Sequence, residues 1–178
     1  FSEIVIPESV TTILGCAFND MKKLTKVTIP NNVDKNDNNK QYAASIGTLP
    51  TDDAAITERL IFEFTNAFCG VNGLPALKWN DKLETAARSH SEDMEKRKFF
   101  DHTNPDGKTA SDRVTATGYK WRTCAENIAM ISRGLNAVDA VDGWVNSSGH
   151  RLNMLTTVCD ELGVGVSGAY GTQNFGKQ

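Results

Sequence analysis

A repeat with an offset of 23 residues opens the chain and then stops, and that break decides what the sequence can fold into. EIVIPESV at 3–10 realigns with KVTIPNNV at 26–33, placing Ile6 over Ile29, Pro7 over Pro30 and Val10 over Val33. Ile13, Leu14, Ala17, Phe18 and Leu24 lie between. A period in the twenties, with a short β-rich segment ending in Pro, marks a solenoid, whose units bury their apolar faces only against one another. One unit and the start of a second are present, so the expectation is a piece of an array that continues upstream. Phe1 in place of an initiator Met points the same way, to a processed or truncated chain. Residues 34–50, DKNDNNKQYAASIGTLP, keep no period and read as a linker. A second domain then runs over 51–178.

Composition narrows the function class. A hydrophobic fraction of 39% supplies a core, and a net charge of −3 argues against a nucleic-acid partner, which needs a basic face. No apolar run approaches the roughly 20 residues of a membrane span. The four cysteines, Cys16, Cys69, Cys124 and Cys159, form no CxxC or CxxH pair, so a zinc knuckle is not expected. They read as buried free thiols that pack as small hydrophobes, with a Cys124–Cys159 bridge the less favoured option.

Helical spacing begins at TDDAAITERLIFEFTNAFCGVNG. Thr51 or Asp52 caps, and Ile56, Leu60, Phe64, Ala67, Phe68 and Val71 form a stripe, flanked by Ile61, Phe62 and Cys69. A second helix starts at Asn80 as N-cap, with Leu83, Ala86, Ala87, His90 and Met94 on one face. His90 thus reads as a packed, hydrogen-bonded core histidine. FFDHTNPDG follows, and Asn104-Pro105-Asp106-Gly107 is strong turn chemistry. A short helix is expected over 109–117, a strand after Glu126, a helix over 136–146 and a tight turn into a short helix at SSGHRLNML. ELGVGVSG and GTQNFG read as strands. Helices alternating with late strands give a mixed α and β class.

Three segments carry titratable groups suited to chemistry: DHTN with His102, AEN with Glu126 and SGH with His150. Two neutral imidazoles and a carboxylate suit a divalent metal such as zinc, or acid–base work near neutral pH. Asp101 and Asn127 are candidates to fix an imidazole tautomer from behind. Spacing alone does not bring these residues together.

The N-terminal repeat resembles leucine-rich repeats of the BspA type, which place IP after a strand and an AF pair near mid-repeat. The segments LETAARSHSEDMEKRKFFDHTNPDG, CAENIAM, VDGWVNSSGHRLNML and ELGVGV, in that order, resemble the CAP superfamily of cysteine-rich secretory, antigen 5 and pathogenesis-related proteins, in its bacterial SCP-like extracellular branch. The resemblance covers about 51–178 and implies an α+β fold, an α-β-α sandwich with a central antiparallel sheet and an open cleft. It implies that His102, Glu126 and His150 line that cleft, with His102 and His150 as the metal pair. Ser147 stands three positions after Trp144, where relatives carry a second acid, and Ala125 stands where the family has Gly. Trp144 itself is expected to fill the core behind the site.

The family has no single defining reaction, and no serine sits in a GxSxG elbow. The resemblance therefore implies a secreted or cell-surface binding module for a protein, peptide or lipid ligand, its cleft taking zinc, another divalent cation or a small ligand. The alternative is a metal-dependent, protease-like hydrolase in which Glu126 activates a bound water.

Overall fold

A computed structural model describes residues 3–5, 26–28 and 53–178, and the chain divides into two units, Phe1–Leu49 and Pro50–Gln178. In the first, β1 (Glu3–Val5) and β2 (Lys26–Thr28) pair in parallel, Glu3 with Lys26 and Val5 with Thr28, so the register carries the 23-residue offset of the repeat. A parallel pair needs a crossover and is not a two-strand hairpin. The rest of the leucine-rich-repeat reading and the linker at 34–50 lie outside the described residues.

The second unit holds α1 (Asp53–Val71), β3 (Lys78–Trp79), α2 (Asp81–Arg97), α3 (Ala110–Ala116), β4 (Thr123–Met130), α4 (Ala137–Asn146), α5 (Ser148–Met154), β5 (Glu161–Ser167) and β6 (Tyr170–Lys177). The strands lie in the order β3-β5-β6-β4. β5, β6 and β4 are antiparallel as expected, but β3 joins β5 in parallel over Lys78 and Trp79, so the sheet is mixed at that edge. No helix among the described residues is long and apolar enough to cross a membrane.

Period-2 alternation in ELGVGVS builds the layers. Leu162, Val164 and Val166 point to one face and join Ile61, Phe62, Trp144 and Phe175 in the main core. Gly163 and Gly165 point to the other, where a Cβ on either would stand 2.0 Å from the backbone nitrogens of Glu84 and Arg88. Glycine at alternate positions thus lets the α2 backbone lie directly on the sheet. Asn80 caps α2 by accepting from the Lys82 and Leu83 N–H groups.

α1 corrects one expectation. Its buried stripe is Glu58, Ile61, Phe62, Thr65 and Cys69, while Leu60 and Val71 are exposed. Two polar residues on the inward face disguise the true period. Glu58 accepts from Arg88 and from the Val166 N–H, and Thr65 donates to the Ile61 carbonyl while accepting from Gln173. The buried side-chain oxygens of Glu58 and Thr65 are thereby partnered. Cys69, Cys124 and Cys159 are free thiols.

Register also fixes how the open edge of β4 is protected. Ile131 N–H bonds to the Ala169 carbonyl, so odd-numbered residues of β4 face β6 and even-numbered ones face away. The outward carbonyls of Glu126 and Ile128 are taken by Asn153 Nδ2 at 3.2 Å and Trp144 Nε1 at 3.0 Å. An edge that would otherwise template a foreign strand is capped by side chains of α4 and α5.

Candidate functional site

The chain leaves α2 through Lys98, a non-glycine residue with φ 56° whose N–H bonds to the Met94 carbonyl. That left-handed step reverses the chain into the 99–109 loop. Asn104 Oδ1 then accepts from the Asp106 and Lys108 N–H groups, and Gly107 adopts φ +77°. Arg97 bonds Asp93 and reaches Asp106 at 2.9 Å, and Asn104 Nδ2 donates to Asp93 at 3.0 Å. The loop that carries His102 is therefore fastened to α2 at several points.

His90 fastens it from below. Its ring is fully buried, and its Nε2 lies 3.0 Å from the carbonyl oxygen of Asp101. A carbonyl only accepts, so Nε2 carries the proton. Nδ1 is then a bare acceptor, and it has no hydrogen-bond partner. Burial holds this imidazole below its ordinary pKa, which favours the neutral form.

Glu126 is the hub. It projects from β4 with its side chain 3% exposed, and Oε1 accepts from His102 Nδ1 at 2.9 Å. Oε2 accepts from Arg113 Nη2 of α3 at 2.7 Å, and Arg113 Nη1 donates to the Lys108 carbonyl. Asn174, opposite Glu126 in the β4–β6 register, reaches Oε2 at 3.1 Å in the amide orientation that lets its oxygen accept from Ala87 N–H. The hydrogen bond to Glu126 raises the His102 pKa above 6.5. A buried carboxylate is thus matched by a guanidinium, an imidazole and an amide.

His150 arrives from the other face. It sits on α5, the short helix expected at SSGHRLNML, because Ser147 starts the helix immediately after α4 ends. Ser147 makes no side-chain capping bond. Asn127 does not meet an imidazole: its Nδ2 holds the His150 carbonyl at 3.1 Å and Gln173 Oε1 at 3.1 Å. Asn153 donates to Asn127 Oδ1 at 2.9 Å, which ties α5 to the sheet. Burial, and secondarily the charge of His102, lower the His150 pKa, so the two histidines sense each other.

Sequence reasoning therefore names His102, Glu126 and His150 but misses Arg113, Asn174 and Asn153. It also gives Asp101 a role that Glu126 fills: the Asp101 carboxylate accepts from Thr103 N–H at 2.8 Å. Only Arg113 has a usable signal, as an arginine in the short helix that follows the NPDG turn.

The fit to a metal follows from the donor set. Both Glu126 oxygens are occupied, one by a cation that repels a second cation, so Glu126 does not suit direct coordination. Among the described residues no group of three His, Cys, Asp or Glu side chains is arranged to hold a metal. A carboxylate bonded to Nδ1 does, however, suit a histidine that uses Nε2 toward a ligand.

The model of the CAP family, the cysteine-rich secretory protein family, matches residues 62–176. The membrane protein YlbC of Bacillus subtilis is 37% identical over 125 residues, covering 68% of this chain and 35% of its own length. An extracellular protein containing an SCP domain, from Bacillus anthracis, superposes with a TM-score of 0.67 at 34% identity, over 74% of this chain and 45% of its own. An outer surface protein of Borrelia burgdorferi shares the fold with a TM-score of 0.61 at 20% identity, over 67% of this chain and 91% of its own. The chain thus spans about a third of YlbC and under half of the Bacillus anthracis protein.

Proposed function

The chain belongs to the CAP family, and from that premise we propose that it is an extracellular binding module whose cleft presents His102 and His150 to a small ligand or a divalent cation. The observation that carries this reading is the saturation of Glu126. With Oε1 on His102, Oε2 on Arg113 and a side chain only 3% exposed, the carboxylate is engaged and turned away from solvent, a poor position from which to take a proton from an attacking water. This counts against a hydrolase that uses Glu126 as its base, whereas a binding site gains a fixed imidazole. His102 is the exposed member, its side chain 53% accessible, with Nδ1 committed to Glu126 and Nε2 left to face a ligand. Extracellular placement is supported by the SCP-domain protein of Bacillus anthracis, which is described as extracellular. Leucine-rich repeats, a reading with which the 23-residue parallel register of β1 and β2 agrees, would add a recognition surface.

If a cation is the ligand, His102 Nε2 and the His150 ring hold it, with water or a second ligand completing the shell. Zinc titration by calorimetry tests this, on the wild type and on His102→Ala/His150→Ala, beside a peptidase assay with and without zinc. One-to-one binding that disappears in the double variant, without peptide cleavage, is expected. Peptide hydrolysis that His102→Ala abolishes would establish the hydrolase instead.

A further inference from the structure

On the far side of α3 from Arg113, the strand-leading segment 118–122 forms a second site that the cleft does not use. A shallow pocket of about 400 Å³ is lined by Thr115, Gly118, Tyr119, Lys120 and Trp121. Trp121 is 39% exposed, and its indole N–H donates to Thr115 Oγ1 at 2.9 Å. The ring is thus held in a set orientation while part of it stays bare. Tyr119 is 2% exposed and bonds Glu161 through its hydroxyl, so it is a rigid member of the wall. Lys82 donates from Nζ to the Gly118 carbonyl at 3.1 Å, bringing a second cation to the rim beside Lys120, and Arg122 follows Trp121 directly in the chain. Lys120 and Arg122 are exposed and, among the described residues, enter no ion pair.

We propose that this pocket binds an anionic sugar chain. An open, shallow site with a fixed aromatic plate does not enclose a compact apolar ligand, which needs burial on most sides. It does suit a pyranose ring, whose apolar C–H face stacks on an indole while its hydroxyls stay wet. Lys82 and Lys120 at the plate, with Arg122 next to it in the chain, on a protein of net charge −3, select a sugar that carries carboxylate, sulfate or phosphate groups. The Trp121–Thr115 bond keeps the plate from collapsing onto α3, so little ordering is left to be done on binding.

The test is retardation of the full chain in gels containing polygalacturonate, heparin or hyaluronan, with dextran as the neutral control and single-stranded DNA as the competing polyanion. Retardation by at least one acidic polysaccharide, absent with dextran, is expected. Trp121→Ala should weaken it roughly tenfold, the cost of one aromatic stack. Trp121→Phe should retain most of it, and Lys120→Glu/Arg122→Glu, which alters only exposed side chains, should weaken it by a similar factor and flatten its salt dependence. His102→Ala/His150→Ala should leave it unchanged, which separates this site from the cleft. No retardation by any acidic polysaccharide, equal retardation of wild type and Trp121→Ala, or stronger Trp121-dependent binding of DNA each overturns the proposal.

Discussion

Arg113 Nη2 lies 2.7 Å from Oε2 of Glu126, and the two side chains are 9% and 3% exposed. This buried pair joins α3 to β4 and supplies the positive charge that permits a carboxylate at the base of the cleft. Its consequence for binding is indirect, because a neutralised Glu126 would not hold His102.

Arg113→Ala should therefore be among the most damaging single changes in the cleft. It leaves a buried carboxylate with only His102 and an amide as partners. Removing one member of a buried ion pair costs about 3 kcal/mol or more. Urea unfolding at neutral pH should show a lowered midpoint with an unchanged slope. Arg113→Lys should recover part of the loss, since it restores charge but not the second bond to the Lys108 carbonyl.

The bond between His102 and Glu126 predicts a pH signature. The folded pKa of His102 lies above the ordinary 6.5. The folded state thus binds the proton more tightly than the unfolded chain does. The stabilisation is complete below 6.5 and is lost as pH rises through the raised value. Because the ring is half exposed, the effect on stability is small, and NMR titration of the imidazole is the sharper probe. Wild-type His102 should titrate above 6.5, and Glu126→Gln should bring it down toward or below that value, while His150 should titrate below 6.5 because burial, and secondarily the charge of His102, disfavour its protonation.

Gly163→Ala tests why α2 can lie on the sheet. The added Cβ would meet the Glu84 backbone nitrogen at 2.0 Å, and backbone cannot swing aside as a side chain does. Overpacking of this kind costs about 3 kcal/mol or more. A thermal or urea midpoint within error of wild type would show that α2 shifts without strain. Gly149→Ala, where a Cβ meets nothing within 4 Å, is the matched control.

What the sequence discloses follows from how local each signal is. The NPDG turn, the Asn80 cap and the Leu-Gly-Val-Gly-Val alternation depend on near neighbours, and each shows plainly in the chain. The buried face of α1 is hidden because Glu58 and Thr65 point inward, and their partners Arg88, Val166 and Gln173 lie far along the chain. Arg113 and Asn174 are hidden for the same reason: only the fold sets them beside Glu126, and neither sits in a distinctive run. Ser-Ser-Gly blurs where the turn ends and the short helix begins, and the fold shows that the chain passes from α4 to α5 through the single residue Ser147. The parallel edge at Lys78 and Trp79 is two residues long, too short for any periodicity to reveal.

Asn153→Ala should uncouple the edge of β4 from the helix that carries His150. Asn153 Nδ2 serves two acceptors, the Glu126 carbonyl at 3.2 Å and Asn127 Oδ1 at 2.9 Å. Its loss strands both in a place where Glu126 and Asn127 are buried, at a cost of about 1–3 kcal/mol. Asn127 still holds the His150 carbonyl, so α5 should loosen rather than detach. Hydrogen exchange should therefore quicken at Leu152, Met154 and Leu155 by more than at α2, whose anchors are untouched. Uniform acceleration across the whole domain would mean that α5 has no separate stability, and that the Asn153 bonds serve the fold as a single cooperative unit. Exchange confined to α5 would show that His150 rides on an element held to the sheet chiefly by amides, and so is the more adjustable of the two cleft histidines.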